Sequence, residues 1–329
     1  MNLLLIIGIM YNTLIYTRLH SSWTDYYENS EYISINSRIN ITESGNYYWA
    51  YTDISDLTNQ AIFMESEYST NVSLLVEFSN FKNIFVDIEN ITCGGAIHFQ
   101  NGFRFKCTHC LSNNCINAKA TIAIFHGGHF CNSQVDQKYG INEVNYSSIV
   151  NCGKYDGLGV APIRLLYGSI KIQSDNISSC ITNDTCCAFI WGDTKINLCM
   201  ISNCSSTYDF DYSTAIVLRY SSTVNITKCN IILNNANLIF RIFASNIYFS
   251  DCNIYANTGS YLLSTGDNAE KIYLYNCFLS NPVLMTTGKE IILVNSHPLE
   301  FFAPILQFEV KRPKCTCDLM PYVIKVLRR

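Results

Sequence analysis

The sequence has few charged residues, few prolines and no excess of basic residues. Charged residues make up 15 % of the 329 residues and hydrophobic residues 48 %, which excludes a wholly disordered chain. Six prolines remove few backbone donors, so long continuous sheets are allowed. The formal net charge is −4, so the chain lacks the excess of basic residues that is typical of nucleic-acid-binding proteins, and we expect no nucleic-acid partner.

The sequence also lacks a convincing helical period and a long apolar run. Without apolar residues repeating every ~3.6 positions, we expect little helix. The apolar run from Leu3 to Tyr16 is too short to span a membrane as a helix but has the length of a signal-peptide core, although the basic start and a clear cleavage site are missing. Residues 1–20 are therefore predicted to be a signal peptide or an N-terminal cap, with secretion or cell-surface display favoured and membrane association left open.

A repeated pattern lies between residues 223 and 281. An alternating apolar pentad is followed by a cysteine, an apolar residue and, four or five places after the cysteine, an asparagine. The three cysteines, Cys229, Cys252 and Cys277, are 23 and 25 residues apart. A fixed period in this range indicates a solenoid, and the alternation indicates that strands build it.

Short alternating segments extend this pattern over most of the chain, with three strands to a coil, as in Ser169–Asp175, Asn176–Cys180 and Cys187–Trp191. We predict an all-β, single-domain, right-handed three-sheet parallel β-helix of about ten or eleven coils, each of roughly 20 to 30 residues, over residues 30–307. Residues 308–329 are predicted to form a C-terminal cap or tail. Asparagines after the cysteines are predicted to serve the turns, namely Asn203, Asn234, Asn257 and Asn281.

The sixteen cysteines recur at two positions of the coil, which favours stacked, buried thiols over a disulfide framework, with a few local bridges left open. The first column contains Cys110, Cys199, Cys229, Cys252 and Cys277, and the second, about five residues further round, contains Cys115, Cys152, Cys180 and Cys204.

The segment Cys93–Phe99 reads Cys-Gly-Gly-Ala-Ile-His-Phe, a strand ending in Cys-x-x-Asn at Asn113 follows it, and Phe125–Phe130 repeats it in degenerate form. These segments resemble the GGAI/FxxN repeats of polymorphic outer-membrane and passenger proteins, and the large trichomonad-type protist families of β-helix surface proteins. Those families share the pectin-lyase-like fold. The resemblance implies a surface protein that recognises or adheres to a glycan or a surface protein without catalysis.

A metal site is one alternative. Cysteine and histidine within 25 residues could hold zinc, although the spacing matches no standard ligand set and core thiols with turn histidines are the favoured interpretation. We therefore expect no cofactor. The candidate ligands are Cys107, Cys110, Cys115, His126, His129 and Cys131, with Cys110 and Cys131 one coil apart.

Two further hypotheses concern the outer surface. A carbohydrate-active enzyme would need paired carboxylates. The candidate acidic residues in the C-terminal half of the chain do not recur at one coil position. They are Asp184, Asp193, Asp209, Asp211, Asp251 and Asp267. Alternatively, the guanidinium groups of Arg164, Arg219 and Arg241 could align along one outer edge, near Tyr167, Trp191 and Tyr220, and bind an anionic glycan. A solvated edge is the favoured interpretation of these arginines.

Eight Asn-x-Ser/Thr sequons are only slightly more than the about six expected by chance. They are Asn40, Asn71, Asn90, Asn145, Asn176, Asn183, Asn203 and Asn225. The sequence thus favours a non-enzymatic recognition or adhesion protein, with a carbohydrate-active enzyme and a structural spacer as alternatives and the oligomeric state undetermined.

Overall fold

A computed structural model describes sixteen parts of the chain: residues 26, 31, 33–64, 72–86, 95–100, 102–117, 130–133, 140–153, 161–182, 185–206, 213–259, 261–265, 271–279, 290–298, 307–309 and 325–327. Its strands, numbered β1 to β32 in chain order, pair in parallel around one core, apart from one antiparallel pair near the C-terminus, β31 (Gln307–Glu309) with β32 (Lys325–Leu327). The predicted all-β parallel solenoid is confirmed.

Three faces surround the core, and most coils contribute a strand to each. Face 1 contains β1 (Ile33–Ile35), β3 (Gly45–Ala50), β6 (Val72–Glu77), β10 (Arg104–Thr108), β14 (Ile141–Asn145), the second halves of β16 (Ile163–Gln173), β19 (Thr185–Asn197), β22 (Thr214–Thr227) and β24 (Leu238–Ser250), then β27 (Lys271–Tyr275) and β29 (Glu290–Val294).

Face 2 is a single sheet of ten strands. They are β4 (Asp53–Ser55), β7 (Asn80–Lys82), β11 (Leu111–Asn113), β15 (Ser148–Val150), β17 (Asn176–Ser178), β20 (Met200–Ser202), β23 (Asn230–Ile232), β25 (Asn253–Tyr255), β28 (Phe278–Leu279) and β30 (His297–Pro298).

Face 3 is built from short strands and from the first halves of the four long strands β16, β19, β22 and β24. The short strands are β2 (Ile39–Asn40), β5 (Ile62–Met64), β9 (Ile97–Gln100), β13 (Phe130–Ser133) and β26 (Tyr261–Thr265), and two further pairs flank face 2, β8 (Phe85–Val86) with β12 (Ile116–Asn117) and β18 (Ile181–Thr182) with β21 (Ser205–Ser206).

The core consists of columns of apolar side chains that repeat from coil to coil. In face 1, Ile172 pairs in register with Ile196, then Ile226, Phe249 and Leu274, and all five are buried. Because alternate residues of a strand point to opposite faces and neighbouring strands lie ~4.8 Å apart, each pentad buries two of its residues against the same positions of the next coil. A single coil could not bury them alone, so the coils stack.

Face 1 and face 2 are always joined by two residues, here called turn A. The first has a left-handed backbone and the second points into the core. The left-handed residues are Tyr51, Phe78, His109, Tyr146, Ser174, Leu198, Lys228, Asp251, Asn276 and Asn295, with φ between 46° and 58°. This conformation is uncommon outside glycine, and hydrogen bonds to the next coil stabilise it, as when the amide of Tyr146 donates to the Gln173 carbonyl at 2.8 Å.

In nine of the ten described coils, all except that of Asp175, the second residue of turn A carries a small donor that bonds the carbonyl two residues earlier. The Ser147 hydroxyl donates to the Asn145 carbonyl at 3.0 Å, and the Cys229 thiol donates to the Thr227 carbonyl at 3.2 Å. This local bond explains why serine and cysteine alternate at this position. The first predicted cysteine column is confirmed here, because Cys110, Cys199, Cys229, Cys252 and Cys277 are all buried, free thiols in this position.

A second corner, turn B, follows face 2 and has the same design, with left-handed residues Asp56, Asn83, Asn114, Asn151, Ser179, Asn203, Leu233 and Ala256. The second predicted column, Cys115, Cys152, Cys180 and Cys204, is confirmed as the inward residues of this corner. The asparagine prediction is confirmed at this corner. Asn203 is a left-handed residue of turn B, and Asn234 and Asn257 are inward residues of it that accept from the backbone amides of Cys204 and Asn234 at 3.0 and 2.9 Å. Asn281 lies outside the described residues.

Glycine is required where face 3 turns into face 1. Gly168 has φ +71°, and a Cβ placed on it would lie 2.1 Å from the Gly140 carbonyl oxygen of the preceding coil. The buried Asn142 side chain donates to the carbonyls of Leu166 and Tyr167 at 3.1 and 2.8 Å, so these two carbonyl groups at the corner have a hydrogen-bond partner. A polar residue in a mostly apolar inward column thus has specific partners.

Candidate functional site

The outer surface of face 1 has a central column formed by the middle residue of each pentad. Since the flanking residues point inward, this residue points outward. In register from the N-terminal end, the column contains Tyr48, Leu75, Lys106, Glu143, Lys171, Lys195, Asn225, Tyr248, Tyr273 and Ile292.

Five consecutive members of this column, Lys171, Lys195, Asn225, Tyr248 and Tyr273, are called the donor strip, and the apolar Ile292 follows them. Each carries at least one hydrogen-bond donor, and the five consecutive coils span ~19 Å at ~4.8 Å per coil. Within the described part of the chain, Lys195 and Asn225 make no side-chain hydrogen bond or ion pair. Lys171 Nζ lies 2.8 Å from Glu143 Oε1. The strip therefore offers donors that are not consumed inside the protein.

The tyrosines at the end of the donor strip support one another. The rings of Tyr248 and Tyr273 stack with centroids 5.1 Å apart and an angle of 10° between their planes, and Tyr275 stacks beside Tyr273 at 5.9 Å. Because these rings face one another, they present mainly their edges and hydroxyl groups to a ligand. Stacking restricts the rings, so less side-chain freedom is lost when a ligand binds.

The N-terminal end of the central column is covered by Tyr26, which packs on Leu75 and Tyr48. The Arg104 guanidinium carbon lies 4.8 Å from the centre of the Tyr26 ring, and Lys106 Nζ lies 5.8 Å from it. Lys106 also lies 3.8 Å from Glu143 Oε2. The outer surface of face 1 is thus occupied at one end and open along the donor strip.

Turn A carries a second aromatic row, Tyr51, Phe78, His109 and Tyr146. Their rings stack along the axis with centroids 5.3, 4.7 and 5.0 Å apart. Burial, with a smaller effect of Lys106, lowers the pKa of His109 to about 4, so this ring is neutral near neutral pH. Contact between ring faces makes this row a stabilising element, worth about 0.5–1.5 kcal/mol per pair, rather than a platform for a flat ligand.

The three arginines that the sequence singled out do not lie in one column. Arg164 and Arg241 share a column of face 3, separated by Ala188 and Val217, whereas Arg219 lies in the next outward column, in register with Phe243. Arg164 is buried, at 4 % exposure, and Arg241 lies over the Phe243 ring at 5.3 Å. The side chains of Arg219, Trp191 and Tyr220 lie outside the described part; Tyr167 packs beside a small outer cluster of Ala161, Leu166 and Ala188.

The predicted metal ligands fall at separate places. Cys107 points inward from face 1, Cys110 and Cys115 are the inward residues of turns A and B, and the backbone of Cys131 belongs to face 3 beside His98 and Arg164. Cys110 and Cys131 are therefore not neighbours in one column, since the chain places them on different faces. His126 and His129 lie outside the described residues, among which no group of three metal-ligating side chains occurs.

The described carboxylates of the enzyme hypothesis do not face each other. Asp193 lies on the outer surface of face 1, where its Oδ1 accepts a hydrogen bond from the Thr223 amide at 3.2 Å. Asp251 lies in turn A, where its Oδ1 accepts from Asn276 Nδ2 at 3.1 Å. The other candidates, Asp184, Asp209, Asp211 and Asp267, lie outside the described residues.

The described sequons occupy several surfaces. Asn40 and Asn203 are exposed, Asn145 and Asn225 point outward from face 1, and Asn176 begins a strand of face 2. Asn71, Asn90 and Asn183 lie outside the described part of the chain.

Sequence reasoning missed both the donor strip and the covered end of face 1. The signal for the strip was present, because the pentads centred on Lys171, Lys195, Asn225, Tyr248 and Tyr273 align once the inward residues are matched. Its members differ in residue type, so a search for like residues passes over them. Tyr26 lies outside the repeat and has no such signal.

Comparisons with known proteins leave the family open. No family model, curated protein or solved structure matches the chain. Among the described residues, no helix combines the length and apolar character needed to span a membrane.

Proposed function

We propose that this protein is a non-enzymatic recognition rod that binds a glycan along the donor strip of face 1. The observation that carries this proposal is the alignment of five hydrogen-bond donors on five consecutive coils, from Lys171 to Tyr273. Glycans present closely spaced hydroxyl and carboxylate oxygens, which accept such donors. Strands hold the donors at fixed spacing, which reduces the entropy lost on binding.

The character of the strip also favours ligands of partly anionic character. Lys171 and Lys195 are direct neighbours on adjacent coils, and like charges so placed repel each other. Glu143 offsets the charge of Lys171 on one side, whereas Lys195 is exposed. An acidic or sulfated sugar bound here would relieve the repulsion and pair with a charged donor.

We also propose that the protein is secreted or displayed at a cell surface, as a member of the GGAI/FxxN class of β-helix surface proteins. The apolar run Leu3 to Tyr16, the exposed sequons Asn40 and Asn203, and the parallel solenoid itself support this assignment.

The experiment is a glycan array probed with the full chain and with two matched double variants. Lys171→Ser/Lys195→Ser removes two charges from the strip, and Lys82→Ser/Lys228→Ser removes two charges from other surfaces. We expect the strip variant to lose affinity for the bound glycan by about tenfold or more, since each hydrogen bond to a charged group contributes about 1.5–3 kcal/mol. The control variant should bind like the parent chain. Absence of any bound glycan, or equal losses in both variants, would contradict the proposal.

A further inference from the structure

Tyr26 occupies a pocket on the outer surface of face 1, here called the Tyr26 pocket and formed by Tyr48, Leu75, Arg104 and Lys106. Its ring is 6 % exposed and packs on Leu75, and its hydroxyl donates to the Leu74 carbonyl at 3.4 Å. The pocket residues lie on β3, β6 and β10, three neighbouring strands of one sheet. A tyrosine 48 residues away in the chain from its hydrogen-bond partner is thus held by a rigid sheet surface.

The pocket suits an aromatic side chain that has acidic residues close to it in the sequence. Arg104 and Lys106 lie at cation–π distance from the Tyr26 ring, a contact worth about 2 kcal/mol or more when it is desolvated. The Tyr48 hydroxyl donates to Glu77 Oε2 at 3.1 Å, which fixes one wall of the pocket. Glu77 is itself buried, at 1 % exposure. One wall of the pocket is therefore held by a bond that does not involve Tyr26.

The sequence around Tyr26 has matching chemistry. Residues 24–28 read Thr-Asp-Tyr-Tyr-Glu and place an acidic residue on each side of the tyrosines. An acidic segment complements the charges of Arg104 and Lys106. Leu75 stands where most later coils place a charged or polar residue in the central column, so the pocket has an apolar floor. Arg104 and Lys106 form its cationic rim, and Glu143 offsets part of the charge of Lys106. Apolar floor, basic rim and aromatic ligand are the features of a peptide-recognition site.

We propose that the Tyr26 pocket is a recognition site for an acidic, tyrosine-containing peptide segment of a protein partner, and that Tyr26 occupies it in cis as a self-ligand. A partner segment must compete with Tyr26, which is present at high effective concentration because it belongs to the same chain. The occupied pocket therefore sets a threshold for partner binding. This site is separate from the donor strip and does not depend on the glycan proposal.

The test uses the full chain with Tyr26→Ser and, as the probe, a labelled peptide of residues 22–30, followed by fluorescence anisotropy. We expect saturable binding to Tyr26→Ser and at least about tenfold weaker binding to the parent chain, whose pocket is occupied. A peptide with both tyrosines replaced by serine should not bind. Adding Arg104→Ser/Lys106→Ser to Tyr26→Ser should weaken binding about tenfold, whereas adding Lys171→Ser/Lys195→Ser should leave it unchanged.

Several outcomes would overturn the proposal. They are equal affinity for the parent chain and Tyr26→Ser, binding of the tyrosine-free peptide, loss on changing the strip lysines instead of the pocket cations, and no binding at all. If Tyr26→Ser does not fold, Tyr26→Leu replaces it, because leucine still covers Leu75 but cannot make the cation–π contacts. Tyr26→Phe keeps the ring in the pocket and should bind the peptide as weakly as the parent chain.

Discussion

The Asn257 side-chain oxygen accepts two hydrogen bonds from Asn234 on the preceding coil, one from the Asn234 backbone amide at 2.9 Å and one from Asn234 Nδ2 at 3.0 Å. The Asn257 side-chain amide in turn donates to the Ile231 carbonyl at 2.8 Å. Asn234 is fully buried and Asn257 nearly so. One side chain therefore satisfies three polar groups inside the core.

We expect Asn257→Ala to lower the free energy of unfolding by about 2 kcal/mol or more, because it removes the acceptor of the buried Asn234 amide and the donor to the Ile231 carbonyl, at about 1–3 kcal/mol each. Asn234 Nδ2 keeps its bond to the Ile201 carbonyl. Asn203→Gly is the matched control, since Asn203 is exposed, has a left-handed backbone that glycine adopts freely, and makes one side-chain bond, to Ser179. Its cost should stay below about 1 kcal/mol. Urea unfolding measures both, and similar midpoints for the two variants would refute the role of Asn257.

Gly168→Ala should destabilise the protein by at least about 2 kcal/mol. A methyl group there meets the Gly140 carbonyl oxygen at 2.1 Å, and alanine resists the backbone angle of +71°. Ser169→Ala changes the adjacent, outward residue and should have little effect. Thermal unfolding of the two variants makes the comparison. If Gly168→Ala melts with the parent chain, the close approach of the two coils at this corner is wrong.

Asp175 makes stability depend on pH. It is 2 % exposed in the inward position of turn A, and burial raises the pKa of its carboxyl group well above the usual value. Between the unfolded pKa of about 3.9 and the higher folded pKa, the folded state binds the proton and the unfolded state does not, so stability is greatest at low pH and falls as pH rises. The slope for this group approaches about 1.4 kcal/mol per pH unit.

The measurement for Asp175 is the difference in urea midpoint between the parent chain and Asp175→Asn at pH values from about 5 to 8. Because asparagine keeps the shape and cannot ionise, the variant should gain stability relative to the parent chain as pH rises. Other titrating groups cancel in the difference. A difference that is constant with pH would show that Asp175 does not change its charge on unfolding in this range.

The buried cysteines should be inert in the native protein. Twelve described cysteines are free and buried, so an alkylating reagent does not reach them in the native protein. Burial also raises the pKa of Cys187 and Cys229 well above the usual range. Hydrogen bonds from neighbouring thiols lower the pKa of Cys204 and Cys252, so these two are protected by burial alone. We expect these twelve to escape alkylation by iodoacetamide at about pH 8 until denaturant is added, as read by peptide mass spectrometry. Rapid native labelling of Cys229 or Cys252, or a disulfide at either residue, would contradict the thiol columns.

Much of the fold could be predicted because the residues that repeat along the sequence are the ones buried in the core. The pentads around Ile226, Phe249 and Leu274 and the cysteines that follow them keep one register, since every coil must bury the same positions. The sequence did not show which residue of turn B has the left-handed backbone, because beside Asn234 and Asn257 that position belongs to Leu233 and Ala256, whose side chains carry no turn signal. Backbone hydrogen bonds to the next coil, rather than residue preference, stabilise that conformation.

The outer surface was harder to predict because outward residues are not constrained to match. The proposed arginine column counted residues from each arginine to the next strand, but the register shifts near Arg219, so the count does not preserve position. The position of the Tyr26 side chain depends on a contact with a residue 48 positions away in the sequence, and no periodicity encodes such a contact. Inward columns can thus be inferred from a period, and outward sites require the register itself.

The constant length of turn A shows where a coil can gain or lose residues. Turn A uses two residues in all ten coils in which the structure describes it, yet the spacing between successive left-handed residues of turn A ranges from 19 residues, Asn276 to Asn295, to 37, His109 to Tyr146. The variation in residue number falls in the part of each coil between turn B and face 1, so insertions accumulate on that side of the solenoid. A foreign epitope placed between Ser206 and Ser213 would extend that side and leave the opposite edge, with its aromatic row, unaltered.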